Sequence, residues 1–286
     1  MAKKRVTGTC RICGRKQKLT FEHVPPGATY NKNSVKIVSY EQFIAAESKG
    51  IYPWEIKDAP GKISQRGKGD YYLCEECNNK TGAWYGTHYR NFVGPIMYVL
   101  SEANKRKEKY AAVELCLTGM RPLAIFKQVI TMFCDINSGL AKRDQFALSK
   151  FLLDKYNKEF DSKKYRVFMF IPTGAIERTH GVTALLKTDD AKKIILISEI
   201  VSYPVGFALY IDLPEGYEPE GTDITDFVKA DYDDKAEITI TLNVLEINNF
   251  IPGDYRTKNE IIKTIEESER WETEHMDLFR EIESDL

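Results

Sequence analysis

Two short cysteine repeats limit how this chain can fold more than any other feature of its sequence. Four of its six cysteines stand as Cys10-Arg11-Ile12-Cys13 and Cys74-Glu75-Glu76-Cys77. A C-x-x-C turn places two sulfurs on one side of a tight loop, and two such knuckles complete a tetrahedral four-sulfur shell. Thiolates are the soft ligands that zinc takes, and a shell with no open position makes that Zn2+ structural, one per chain. Residues 10–13 and 74–77 must then meet in space, whatever the chain between them does. A redox C-x-x-C would occur once, inside a βαβ pattern that is missing here. Cys116 and Cys134 fall in apolar patterns further on and read as inert packing residues of a strand and a helix.

The segment carrying the knuckles is rich in Gly, Lys and Asn, so metal binding is expected to supply the stability that a hydrophobic core cannot. The whole chain, 286 residues with 43% hydrophobic and 29% charged, is long and apolar enough for one large or two modest globular domains. No apolar run approaches the ~18–20 residues of a bilayer span. None follows the basic start Met1-Ala2-Lys3-Lys4-Arg5, so neither a membrane segment nor a secretory signal is expected. A cytoplasmic, reducing location follows from that reading. The net charge of −1 hides an asymmetry: residues 1–95 carry 16 Lys/Arg against 8 Asp/Glu, and the remainder 25 against 34. A basic front and an acidic back suggest that only the front meets a polyanion.

The periodicities predict an α+β protein in two parts. In residues 1–95, strands are expected at 6–10 and 19–24, a short helix at 40–48, a flexible basic loop at 58–69, and a helix from about 78 to 90 weakened by Gly82 and Gly86. Residues 96–286 read as an α+β domain with a mainly antiparallel sheet. Its helices are expected at 96–110, 122–137 and 144–157, the last with Phe146, Leu148, Phe151, Leu152 and Tyr156 as its apolar stripe. Its strands are expected at 112–118, 166–171, 182–187, 193–200, 205–212 and 237–247, with turns such as Asp189-Asp190 between them. A long charged helix, 259–286, closes the pattern, with a break near Trp271.

Between the knuckles lies Phe21-Glu22-His23-Val24-Pro25-Pro26, and directly after the second comes Asn78-Asn79-Lys80-Thr81-Gly82. In these residues the sequence resembles the HNH, or ββα-metal, nucleases. Their pattern is a C-x-x-C, a carboxylate–His pair before an apolar residue and Pro, then a C-x-x-C followed by His or Asn. The likeness covers about residues 8–90, and the C-x-x-C-N ending is most similar to phage junction-resolving members. It implies a zinc-stapled ββα-metal domain and an endonuclease that hydrolyses phosphodiester bonds in DNA. Glu22 and Asn78 then correspond to ligands of a catalytic Mg2+ or Mn2+, and His23 to the general base. The chemistry suits those residue types. An imidazole near neutral pKa takes the proton of water, and hard oxygen donors hold a hard cation that keeps positions open for phosphate.

The sequence departs from that family in several places. Glu22 stands where Asp is usual. The middle Asn of the pattern falls near Gly69-Asp70, so its orienting role is missing or moved, and residues 27–70 contain an insertion. Adjacent strand residues face opposite ways, so Glu22 and His23 share a site only where the strand turns irregular, which Pro25-Pro26 favours. Asn79 is an alternative ligand to Asn78, and either could instead cap the helix. His88 could extend the ligand set or simply pack, whereas His180 and His275 read as structural.

Arg11, Arg15, Lys16, Lys18, Arg66, Lys68, Lys80 and Arg90 are candidates for gripping a DNA backbone, with RNA the other polyanion such a surface takes. One ion and one histidine cut one strand, which predicts nicking or cutting by a homodimer. Residues 96–286 are expected to be an accessory unit that binds a protein or small-ligand regulator or dimerises. Free-standing HNH proteins with such a unit resemble bacterial restriction and anti-phage (antiviral) defence effectors. The alternatives are a zinc-dependent nucleic-acid-binding module that does not cut, and a regulatory scaffold.

Overall fold

The computed structural model describes residues 6–174, 176–186 and 193–275. The basic start, the Asp189-Asp190 turn and the far end of the expected C-terminal helix lie outside the described residues. The front of the chain forms β1 (Val6–Thr9), β2 (Lys16–His23), β3 (Val35–Ile37), α1 (Tyr40–Glu47), a 3-10 turn (Pro53–Asp58), β4 (Lys62–Ser64), β5 (Gly69–Cys74) and α2 (Glu75–Thr81). The first, second and fifth strands make one antiparallel sheet in the order β1-β2-β5, while β3 and β4 form a separate hairpin. Helix α1 begins on Ser39, whose hydroxyl accepts from Gln42 N while Gln42 Oε1 accepts from Ser39 N. That reciprocal box satisfies two otherwise orphaned amides.

The basic loop expected at 58–69 is shorter than predicted, because β4 arises within it and β5 begins at its last residue. Leu19 faces Cys74 and His23 faces Gly69, and the ladder slips by one residue between Thr20 and Phe21, leaving Tyr72 as a bulge. The following helix starts at Glu75 rather than at Asn78, with the extended Cys74 as its N-cap. Asn78 and Asn79 therefore lie inside α2 and neither caps it. Gly82 and Gly86 bound a π-turn, through which the helix continues into α3 (Thr87–Lys105). Residue 95, where the composition changes, falls inside α3.

The back of the chain contributes β6 (Ala112–Met120), α4 (Pro122–Ile136), α5 (Arg143–Leu153), β7 (Tyr165–Gly174), β8 (Thr179–Leu186), β9 (Ile194–Ser202), β10 (Val205–Ile211), β11 (Thr222–Asp223), β12 (Ala236–Ile247) and α6 (Lys258–Glu274). The sheet runs β6-β12-β7-β10-β9-β8, with β11 on β7. All its pairs are antiparallel except β12 with β7. The chain is thus α+β with antiparallel sheets and a C-terminal helix.

Three expectations fail here for identifiable reasons. The expected stripe holds at Leu148, Phe151 and Leu152, which are buried, but fails at its ends: Asp144, Gln145 and Phe146 have left-handed φ values, α5 stops at Leu153, and Phe146 and Tyr156 are exposed. Cys116 is exposed rather than packed, because alternation along β6 turns its neighbours Leu115 and Leu117 inward. Helix α6 runs through Trp271 without a break, and the Trp271 ring stacks on His275 at 4.5 Å. Cys134, in contrast, is buried as expected.

Helix α4 explains how the two parts cohere. Every residue from Pro122 to Asp135 is buried, as befits a helix that is apolar almost all round. One core joins Cys10 and Leu73 at the front to Phe92 on α3, Phe126 and Phe133 on α4, and Val167, Phe207 and Leu242 of the large sheet. A smaller cluster seats the insertion on the back half: Phe43, Ala46 and Ile56 meet Ile176 and Phe250, and the Phe43 and Phe250 rings lie 4.4 Å apart. No helix among the described residues is long and apolar enough to cross a membrane.

A buried ion pair sits on the far side of the sheet. Arg178 and Glu199 pair with both side chains wholly inside, Tyr255 Oη donates to Glu199 Oε1 at 2.7 Å, and Arg178 Nη1 donates to Asn249 O at 3.0 Å. Glu199→Ala, which leaves the guanidinium without its counter-charge, is expected to lower unfolding free energy by about 3–5 kcal/mol in urea titration.

Candidate functional site

The knuckles meet as their spacing requires. The sulfurs of Cys10, Cys13, Cys74 and Cys77 all lie within 4.8 Å of one another, and Cys13 and Cys74 are 3.9 Å apart. The first turn closes through Gly14 N donating to Cys10 O at 3.0 Å, and Gly14 takes φ +73°, a conformation that a side chain would strain. The second knuckle is the junction of β5 and α2, so its register is fixed by the ladder on β2. A hydrogen bond from the Cys77 thiol draws Cys10 down, while Cys10 in turn, with burial, pushes Cys77 up. Arg15 Nε donates to Cys13 Sγ at 3.4 Å. These four cysteines are positioned to bind a metal ion.

Beside this centre, Glu22 and Asn78 come together. The Asn78 side chain hydrogen-bonds the Glu22 carboxylate, and its Nδ2 donates to Thr20 Oγ1 at 3.0 Å. Burial nonetheless dominates and raises Glu22 to about 7. In cation-free protein, Glu22 then holds its proton where the unfolded chain has lost it. Stability contributed below pH ~4.5 is therefore lost as pH rises through about 7. Urea midpoints across that range should fall with pH in the wild type and fall less steeply in Glu22→Gln.

His23 faces the other way. Strand alternation puts it with Phe21, their rings meeting edge to face at 5.0 Å, and its Nε2 donates to Arg66 O at 2.8 Å. A carbonyl only accepts, so this bond fixes the tautomer and leaves Nδ1 as the nitrogen able to take a proton. A Cβ on Gly27 would lie 3.4 Å from that Nδ1, so the glycine keeps the loop close against the ring. The structure thus joins Glu22 to Asn78 and holds His23, the next residue on β2, with Arg66.

Two residues that sequence reasoning missed complete the surroundings. Asn31, 5% exposed, donates from Nδ2 to Pro25 O (2.7 Å) and Lys68 O (2.8 Å), and its Oδ1 accepts from Lys68 N at 2.7 Å. It fastens the exit of β2 to the approach of β5, an orienting task for which the insertion gives no spacing signal. Asn31→Ala would remove the donor to Pro25 O and the acceptor of Lys68 N, while Lys68 O keeps Val24 N. It is expected to cost about 1–3 kcal/mol per lost partner and to loosen the loop around His23, detectable as faster amide exchange at Arg66–Gly69. The second is Asp135 on α4, buried, where that burial and then the charge of Glu22 push its carboxyl up.

The basic candidates divide. Lys16, Lys18, Arg66 and Arg90 are exposed. Arg15 and Lys80 share Glu76. Arg11 lies over the Tyr72 ring at 4.4 Å and donates to Asp135 O. Lys68 points into the molecule and pairs with Glu177 at 2.6 Å, tying the insertion to the back half rather than meeting solvent. Asn79 is exposed and, with Gln17, Lys18, Thr20, Glu75 and Glu76, lines an open groove of about 400 Å³. His88 packs against Tyr232 (6.2 Å between rings), where burial and Arg121 lower its pKa. Neither a protein-family model nor a curated protein nor a solved structure matches the chain.

Proposed function

We propose that the chain is an HNH-type endonuclease that hydrolyses phosphodiester bonds in DNA with the help of two kinds of metal ion. The observation that carries this reading is the contact of Glu22 with Asn78, made across the antiparallel pair β2–β5 and the helix that follows, beside four converging sulfurs. A sulfur-only donor set suits a structural Zn2+. The Glu22 carboxylate, joined by the Asn78 amide oxygen once that amide turns over, would suit Mg2+ or Mn2+, which when bound supplies Lewis acidity to the phosphate and its leaving oxygen.

The chain's own part is to hold and move protons and to grip the strand. Nδ1 of His23 accepts a proton from the attacking water while Arg66 O holds the ring in place. Lys16, Lys18, Arg66 and Arg90 meet backbone phosphates. Each such contact contributes about 0.9 to the slope of log K against log salt, so Lys18→Ala is expected to lower the slope of DNA binding by about one, read by fluorescence anisotropy at several salt concentrations.

Strand alternation, which turns His23 away from Glu22, favours a second reading: a zinc-stapled module that binds nucleic acid without cutting it. Incubating zinc-loaded protein with supercoiled plasmid and Mg2+ decides between the two. Nicked circles support the enzyme, and plasmid that stays supercoiled while salt-sensitive binding persists supports the module. A homodimer, a regulator bound through residues 96–286, and a role in defence against phage remain proposals that rest on the family likeness alone.

A further inference from the structure

Asp135 is the polar residue on α4 that the packing leaves unserved. Lys127, wholly buried on the same helix, donates to Phe151 O at 2.7 Å and Asp154 O at 2.6 Å, and Thr131 donates to Lys127 O at 2.8 Å. Asp135 is 1% exposed, yet its Oδ1 has no hydrogen-bond partner. Buried carboxylate oxygens are rarely left so. The cation at hand, Arg11, donates to the backbone carbonyl of Asp135 and lies over Tyr72. Glu22 is the first charged side chain that Asp135 feels, ahead of Arg11 and Cys10. Burial first, and then the charge of Glu22, disfavours the ionised form of Asp135.

We propose that Asp135 is a ligand of the divalent cation held at Glu22, so that one carboxylate from β2 and one from α4 close on the ion with Asn78 beside them. A hard divalent cation neutralises both charges and gives the orphaned oxygen a partner, and oxygen ligands are what Mg2+ and Mn2+ select. Because Arg11 is engaged by a main-chain carbonyl and an aromatic face, it leaves that oxygen to the ion. The cation site is then incomplete in the front third of the chain, and the helix shared by both halves supplies what is missing. This inference rests on Glu22 being a cation ligand, but not on cleavage.

The test is Mn2+ titration of the zinc-loaded full-length chain, without nucleic acid, followed by the loss of the free-ion electron paramagnetic resonance signal. Wild type should take up one Mn2+, displaced by excess Mg2+. Asp135→Asn and Glu22→Gln should each weaken uptake by about 10–100-fold, and His23→Ala should leave it within about twofold. Thermal midpoints give a second readout: Mn2+ should raise that of the wild type and not that of Asp135→Asn. Without Mn2+ the Asn variant should be at least as stable as the wild type, since it no longer buries an unpaired carboxylate. A wild type that takes up no Mn2+ overturns the inference, as does an Asp135→Asn variant that binds like wild type or fails to fold. Uptake that depends on Asp135 in a protein that leaves plasmid uncut keeps the cation site and removes the nuclease reading. Equal uptake and equal nicking by wild type and Asp135→Asn remove Asp135 from the cation site and keep the nuclease reading.

Discussion

His23→Ala is expected to lower Mg2+-dependent nicking of supercoiled plasmid by about 10²–10⁴-fold, the range that a positioned general base contributes. The substitution removes one half-buried ring and its bond to Arg66 O, so zinc content, DNA affinity and urea midpoint should change little. That separation matters, because a loss of cutting accompanied by unfolding would say nothing of proton transfer. Glu22→Gln supplies the contrast. It should reduce cutting as well, but through weakened Mn2+ uptake, and raising the Mn2+ concentration should restore part of its activity and none of that of His23→Ala. Equal nicking by wild type and His23→Ala would remove the histidine from the mechanism.

The other large effect is expected at the sulfurs. Cys77→Ser should leave the chain without tightly bound zinc and unfold its front third. The apparent free energy of a four-ligand zinc site, about 10–16 kcal/mol in small zinc domains, is comparable with the whole stability of a typical domain, about 5–15 kcal/mol. Since Cys10, Cys74 and Cys77 belong to the same core as Phe126 on α4, the loss should spread beyond the knuckles, seen as reduced helical circular dichroism and a lower urea midpoint. Cys116→Ser is the matched control: that thiol is exposed, and the change should stay within about 0.5 kcal/mol of wild type. Zinc retained at one equivalent in Cys77→Ser would refute the four-sulfur site.

The sequence revealed those features whose cause is local. Two C-x-x-C spacings imply convergence without any knowledge of the intervening path, and the continuous apolar texture of α4 announces burial. Strand β5 escaped notice because Gly67 and Gly69 carry the signature of a loop. In the folded chain a Cβ on Gly69 would overlap the carbonyl oxygen of Glu22, so close pairing with β2 demands the glycine. The exposed Phe146, Tyr156 and Cys116 show the opposite error: pattern assigns them inward, whereas a left-handed backbone at Phe146, the end of α5 before Tyr156 and strand alternation at Cys116 turn them out. Of the candidate site, the Glu22–Asn78 meeting was legible through the family likeness. Asn31 and Asp135 were not, because each acquires its meaning from partners distant in sequence, Lys68 for one and Glu22 for the other.

The position of β12 has a consequence for how the molecule is made. In the large sheet it lies between β6 and β7, although both precede it on the chain. During synthesis those two strands leave the ribosome with facing edges that, before β12, only the two-residue β11 covers in part, on β7, beside a helix with apolar sides in every direction. Closure waits for the last strand to thread between them, a contact of high sequence separation and hence slow to form. Nascent chains of this protein should therefore depend on chaperones that shield open strand edges until β12 has emerged.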